Sequence, residues 1–365
     1  MRACRRLKLA MFSYRLPVSC ERRGGIERAA HTLADGLAQR GHDLTVFTHD
    51  PKPQGAAYSV RPLPWKRFVN TWIRRRITMR YLGNILAIVP DYSEFDAVVM
   101  HGDSLLAPIT GKPVLRVMHG SARGEAQSST SLGRYLLQYG VFAQELLTAF
   151  CQDGVVGVSE GTREDNPFVR RVVAHGVDRT IFRPRSGVRS PEPSVLFVGS
   201  MDGRKRGQFL VDRFSRDIRP RHPSATLTIV GAQGPSCPGV SYLIGVGDAQ
   251  LAELYQRSWV FASPSAYEGF GLPYLEAMAC GTPVVATANP GSIELLGDGA
   301  YGLMPPDSEF ATTVSELLGD ETRRAVLTAA GLKRADEYSL DRMLEGYEQI
   351  LMDLSGAHAG TVASA

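Results

Sequence analysis

Two carboxylates, Glu268 and Glu276, stand eight residues apart in the stretch SPSAYEGFGLPYLEAMACGTPVVAT, residues 263–287. Glu268 falls in a loop rich in Gly, Ser and Pro. Glu276 falls in a segment, 273–280, that reads as a short helix, since Pro suits the first helical position and Gly281 the position just past the end. A buried-strand run, 284–286, follows Pro283. A helix beginning after Gly269-Phe270-Gly271-Leu272 offers backbone N–H groups and the positive end of a dipole, an anion site that the glycines let a phosphate approach. Glu276 is expected in the first turn of this helix, and Glu268 in the loop closing over it. Carboxylates repel phosphate but accept hydrogen bonds from hydroxyls. A phosphate bordered by many hydroxyls is a sugar nucleotide.

Three other clusters carry the same chemistry. Ser200-Met-Asp-Gly-Arg204-Lys205-Arg206-Gly207 puts three cations at a glycine turn before a helix expected from about Gln208, which suits a diphosphate leaving group. Gly24-Gly25 precedes a helix expected at 26–39. His101-Gly102-Asp103 and His119-Gly120 end two expected strands, where residues of a parallel sheet face the ligand crevice. Taken alone, a histidine there reads as a packing residue more often than as a site residue.

The segment EGFGLPYLEAMACGTPVVA, with Glu268 and Glu276 in place, resembles the donor-site signature of retaining glycosyltransferases of the GT-B fold, family 4 type. The resemblance covers nearly the whole chain and is most specific over 195–303. It implies that Gly24 and Gly25 meet the donor diphosphate and that His119 lies beside the reacting sugar. It implies that Lys205 is the lysine of the family pattern G-R-L-x-x-x-K-G. Ser200 stands where that pattern has Arg, so the second positive charge falls to Arg204 or Arg206. In VRRVVAHGVDRTIFRP, residues 169–184, His175 stands where the family has Asn. The activity implied is transfer of a hexosyl group from a UDP- or GDP-linked sugar to a hydroxyl acceptor, with retention. Glu268 would hold sugar hydroxyls, Glu276 the ribose hydroxyls, and Gly269, Phe270, Gly271 and Leu272 the diphosphate. No Asp-x-Asp is present and fixed cations can replace a metal, so no metal and no cofactor are expected beyond the nucleotide sugar. The acceptor stays open between glycan, lipid and secondary metabolite. So do three alternatives: a sugar phosphorylase, a sugar-nucleotide epimerase, and a catalytically degenerate sugar-binding relative.

The elements that must position these residues form an α/β chain. A strand at 7–13, a glycine turn, a helix and a strand at 44–48 open one Rossmann-like half, and a strand at 194–199 opens a second. Further strands are expected at 225–231 and 242–247, and helices at 308–318 and 322–354. The expected division is an acceptor domain at 1–184, a linker at 185–193, a donor domain at 194–335, a helix at 336–354 crossing back to the first domain, and a frayed tail at 355–365.

With 365 residues, 44% hydrophobic and 21% charged, the chain has room for two globular domains. A net charge of +4 gives no support to a nucleic-acid partner. Five scattered Cys without a Cys-x-x-Cys fit a reducing compartment, and the basic start lacks the long apolar core of a signal peptide, so a cytoplasmic protein is expected. Residues 51–90 hold eight Lys or Arg and no Asp or Glu, interleaved with Trp65, Phe68, Trp72 and Tyr81. This stretch, 61–80 above all, reads as a peripheral contact with an anionic membrane or acceptor, or as a solvated basic face over buried aromatics; charge runs are more often the second.

Overall fold

The computed structural model describes residues 5–17, 24–66, 84–102, 104–129 and 131–362, with side chains to 356. Two all-parallel sheets carry the chain. The first has seven strands: β1 (Lys8–Phe12), β2 (Asp43–Thr48), β3 (Ser59–Pro62), β4 (Ala97–His101), β5 (Val114–Met118), β6 (Gly154–Gly157) and β7 (Arg171–Val172), in the order β3-β2-β1-β4-β5-β6-β7. The second has β8 (Ser194–Val198), β9 (Thr226–Val230), β10 (Val240–Leu243), β11 (Val260–Ser263) and β12 (Val284–Ala286), in the order β10-β9-β8-β11-β12. Each order reverses beside its first strand, between β1 and β4 and between β8 and β11. Ligands of open parallel sheets bind outside the carboxyl ends of the strands at that reversal. The central strands are apolar on both faces, as helices on both sides require: Val98, Val99, Leu196 and Phe197 are all fully buried.

The helices in chain order are α1 (Gly25–Gln39), α2 (Ala122–Gln127), α3 (Leu132–Phe150), α4 (Glu160–Asp165), α5 (Gly207–Arg213), α6 (Asp248–Arg257), α7 (Leu272–Ala279), α8 (Pro290–Leu296), α9 (Phe310–Gly319), α10 (Glu321–Glu337) and α11 (Leu340–Val362). Helix α1 buries Ala29, Ala30, Leu33, Ala34 and Leu37 on one stripe, the 3–4 spacing that packs a helix onto a sheet. Helix α7 is short and almost wholly buried, so it stays in place by packing rather than by propensity. Truncating a core residue such as Leu275, which is fully buried, to Ala would cost about 2–5 kcal/mol.

Three expectations are corrected. The strand expected at 242–247 is Val240–Leu243, because Gly245 takes a positive φ of 72° and turns the chain. The helix expected at 322–354 is two helices. Tyr338 leaves helical geometry, its carbonyl accepts the Val177 N–H at 2.9 Å, and Ser339 forms a parallel bridge to Val177, which redirects the chain. Helix α11 then lies on the first half, where Leu344 packs over Gly36 and Arg40 pairs with Glu348 at 2.7 Å. The tail expected to fray from 355 continues as helix to Val362.

Of the basic stretch, Phe68, Trp72, Tyr81 and the basic residues Arg67, Arg74, Arg75, Arg76 and Arg80 lie outside the described residues, as does Asp103. Arg61 is described: it pairs with Glu94 at 2.5 Å and lies over the Phe95 ring. No described helix is long and apolar enough to cross a membrane.

Candidate active site

The carboxyl ends of both sheets face one cavity of about 570 Å³. The first half contributes the loop after β1, Gly24 and Gly25 at the start of α1, His101 at the end of β4, and His119 just past β5. The second contributes Gly199, Ser200, Arg204 and Lys205 after β8, and the run from Tyr267 to Pro273 between β11 and α7. Of the sequence-derived site residues, Gly24, Gly25, His119, Arg204, Lys205, Glu268, Gly269, Phe270, Gly271 and Leu272 all line this cavity, and Glu276 does not.

Glu268 is only 5% exposed, and its carboxylate is held from two sides. Arg204 Nη1 donates to Oε2 at 2.8 Å, and Lys205 Nζ pairs with Oε1. Burial pushes the Glu268 carboxyl up, but Lys205 and Arg204 outweigh it and hold it below the ordinary carboxylate range. Arg204 also donates to the Tyr267 carbonyl at 2.6 Å, which fixes the guanidinium at the cavity wall. Between the two arginines left open by the sequence, the structure separates the positions. Arg206 turns away to Asp307, at 3.0 Å, and stacks on Phe209, whereas Arg204 faces the cavity.

Glu276 is 2% exposed and lies in the second turn of α7, since the helix starts at Leu272; the expected first-turn position is corrected. Its Oε1 accepts from Arg28 Nη1 at 2.7 Å and its Oε2 from the Tyr255 hydroxyl at 3.0 Å. Arg28 comes from α1 on the first half and also pairs with Asp248 of α6 at 3.0 Å. Burial lowers the Arg28 pKa and the two carboxylates more than reverse this, so the guanidinium stays charged. Sequence reading missed Arg28. Its signal was a lone Arg three residues past a Gly pair on a helix, with no marker of its partner 248 residues away.

Two glycines permit the site's geometry. Gly271 caps α7 with φ 93°, the left-handed region that other residues avoid. Gly269 passes directly against the first half, where a Cβ would meet the His119 carbonyl oxygen and lie 2.9 Å from Gly120 Cα. Beside it Tyr267 reaches across, and its hydroxyl accepts the Ser121 N–H at the start of α2 at 2.8 Å. The loop carrying Glu268 is therefore clamped on the opposite domain.

His119 does not stand alone. His101 Nδ1 lies 2.8 Å from His119 Nε2, and His119 Nδ1 lies 3.4 Å from His175 Nε2. The rings stack in file, with centroids 5.1 and 5.4 Å apart, and His175 meets the Phe270 ring edge-on. His101, the other expected strand-end histidine, and His175, which stands where the family has Asn, are thus both brought to it.

The family model for "Glycosyl transferases group 1" matches residues 192–320, and the model for "Glycosyltransferase Family 4" matches residues 23–181. The D-inositol 3-phosphate glycosyltransferase of Nocardia farcinica is 32% identical over 53% of this chain and 50% of its own length. The chain thus spans about half the length of that curated relative. Among solved structures, sucrose-phosphate synthase of Thermosynechococcus elongatus superposes with a TM-score of 0.76 at 21% identity, over 96% of this chain and 100% of that one. Anabaena HepE, solved in complex with UDP and glucose, superposes with a TM-score of 0.70 at 16% identity, over 95% and 99%. The two facing Rossmann-like halves are the GT-B fold, and with both halves matched the chain belongs to the group 1, family 4 glycosyltransferases.

Proposed function

We propose that the chain moves a hexosyl group from a UDP- or GDP-linked sugar onto a hydroxyl acceptor, retaining the anomeric configuration and requiring no metal. One observation carries this reading: Arg204 and Lys205 meet Glu268 at the cavity wall, beside the amino end of α7 and opposite the Gly24–Gly25 turn. The departing nucleoside diphosphate develops negative charge, and stabilising that charge is the largest demand on such a catalyst. Two fixed cations and a helix start supply it without an ion. Anabaena HepE, which binds UDP and glucose in the same fold, supports a nucleotide donor.

In this reading the diphosphate takes over Arg204 and Lys205, and the released Glu268 carboxylate accepts hydrogen bonds from sugar hydroxyls. A ribose reaching Glu276 would displace Arg28 Nη1 or the Tyr255 hydroxyl from its carboxylate, as the diphosphate displaces the cations from Glu268. The acceptor oxygen forms a bond to the anomeric carbon on the face the diphosphate leaves. Its proton passes to the departing phosphate oxygen as the C–O bond to that phosphate breaks. Among the described residues lining the cavity, Glu268 is engaged with sugar hydroxyls and no other side chain is an evident covalent nucleophile, which favours this front-face course over a glycosyl-enzyme. The Nocardia farcinica relative acts on an inositol phosphate, a hydroxyl acceptor of the kind proposed; glycan, lipid and secondary metabolite fit equally.

Thermal-shift titration with UDP, GDP and their hexose conjugates tests the donor, since a ligand at 100 times its Kd adds about 2.7 kcal/mol of stability. A raised melting temperature with one nucleoside diphosphate, undiminished by chelator, is expected. No shift with any of them removes the proposal.

A further inference from the structure

His101, His119 and His175 come from three separate segments: the end of β4, the residue after β5 and the loop after β7. Their nitrogens run in file rather than converging on a point, so each ring is a link in a hydrogen-bonded chain. A neutral imidazole donates at one nitrogen and accepts at the other. Once the direction of one link is known, that of the other follows. Two directions exist. In one, His101 Nδ1–H donates to His119 Nε2 and His119 Nδ1–H donates to His175 Nε2. In the other, both protons point back toward His101, and His101 must then carry its proton on Nε2.

The surroundings of His101 Nε2 separate the two. His101 is 3% exposed, and its Nε2 is buried with no hydrogen-bond partner among the described residues. A buried N–H without an acceptor is rarer and costlier than a buried lone pair without a donor. Burial pushes all three rings well below the ordinary histidine range, with His101 down to about 3 and His175 to about 4, so the neutral forms are the ones to be arranged at neutral pH.

We propose that His101 is a positioning residue that sets the tautomer of His119: its Nδ1–H donates to His119 Nε2, which leaves the His119 proton on Nδ1, facing His175 and the cavity. The His119–His175 contact is the longer of the two, 3.4 Å against 2.8 Å, and both residues line the cavity. The donor on His119 Nδ1 is therefore the group that an entering oxygen can take over from His175. On the glycosyltransferase reading that oxygen belongs to a donor-sugar hydroxyl, and His119 serves it as a donor only.

The test uses the full chain labelled with ¹⁵N-histidine, free of ligand at neutral pH, with long-range ¹H–¹⁵N spectra that report which ring nitrogen is protonated. His119 protonated on Nδ1 is expected; His119 protonated on Nε2 overturns the proposal. Two variants extend it. His101→Asn places an amide N–H near the former Nδ1–H and is expected to keep the His119 tautomer. His101→Phe keeps a ring but removes the donor, and is expected to release His119 to a mixture of tautomers. An unchanged His119 spectrum in a folded His101→Phe overturns the proposal, and should that variant fail to fold, the wild-type and His101→Asn spectra still decide. In a transfer assay kcat should fall about tenfold in His101→Phe, with recovery in His101→Asn, the worth of one misdirected hydrogen bond. Absence of transfer from every nucleotide sugar, with the expected tautomer present, would reject the functional reading and leave this inference standing.

Discussion

Arg28 Nη1 lies 2.7 Å from Glu276 Oε1, and this ion pair ties the first helix of one Rossmann-like half to the buried helix α7 of the other. Both partners are shielded from water, and Arg28 carries a second carboxylate, Asp248, at 3.0 Å. A buried pair contributes little net stability when intact, because desolvating two charges offsets their attraction. Losing one partner is different, since the other charge is stranded.

Arg28→Ala should therefore destabilise the protein by about 3–5 kcal/mol, read by urea or thermal unfolding, because it leaves Glu276 buried and unpaired by an arginine. The double variant Arg28→Met with Glu276→Gln should recover much of that loss. A single variant as stable as the parent would show that water reaches Glu276.

Glu268→Gln should lower transfer by about 10²–10³-fold while leaving UDP or GDP binding equal or tighter, because the competing internal anion on Arg204 and Lys205 is gone. Lys205→Ala should weaken the same nucleotide at least about tenfold, the worth of one charge-assisted contact. Calorimetric titration of both variants separates the two roles, and weaker nucleotide binding in Glu268→Gln would contradict the exchange of partners.

Gly269→Ala places a methyl group against the His119 carbonyl and 2.9 Å from Gly120 Cα, both backbone atoms that cannot turn aside. The halves should be forced apart at a cost of about 1–3 kcal/mol, with a larger radius of gyration by solution scattering and transfer reduced more than about tenfold. An unchanged radius and rate would show that the two backbones do not approach in solution.

Acid should destabilise the protein first through its histidines. His175 and His101 titrate at about 4 and about 3 when folded, against an ordinary 6.5, so between those limits the unfolded chain binds more protons. Their stabilisation is complete above about pH 6.5 and is lost as pH falls. His31 and His49, also pushed down by burial, add to the same slope. Glu268 acts lower: its pKa is depressed below the ordinary 4.5, so its contribution is present above about that pH and is lost as pH falls through the folded value. The melting temperature should be flat above neutrality and decline below about pH 6.5, less steeply in His101→Phe with His175→Asn. Equal slopes would show the three-ring file open to water.

Much of the scaffold was legible because its signals are local. The apolar run behind Pro283 placed β12 residue for residue. Periodicity placed α1 to within a residue, since one stripe of that helix must face a sheet. The bond that breaks the helix at Tyr338 was not legible, because it comes from Val177, far away in the chain. Nor was the second-turn depth of Glu276, because a shift of one residue in a helix start moves every later position.

By itself the sequence determined the chemical inventory: two acids eight apart, a lysine and arginines at a glycine turn, a histidine at a strand end. Residue types and short spacings carry that information without a fold. Only the tertiary structure decided the pairings: Glu268 with Arg204 and Lys205, Glu276 with Arg28, His119 between His101 and His175. Charge and hydrogen-bond partners act over a few ångströms. Which side chains come that close is settled by how two separate sheets bring their carboxyl ends to one cleft.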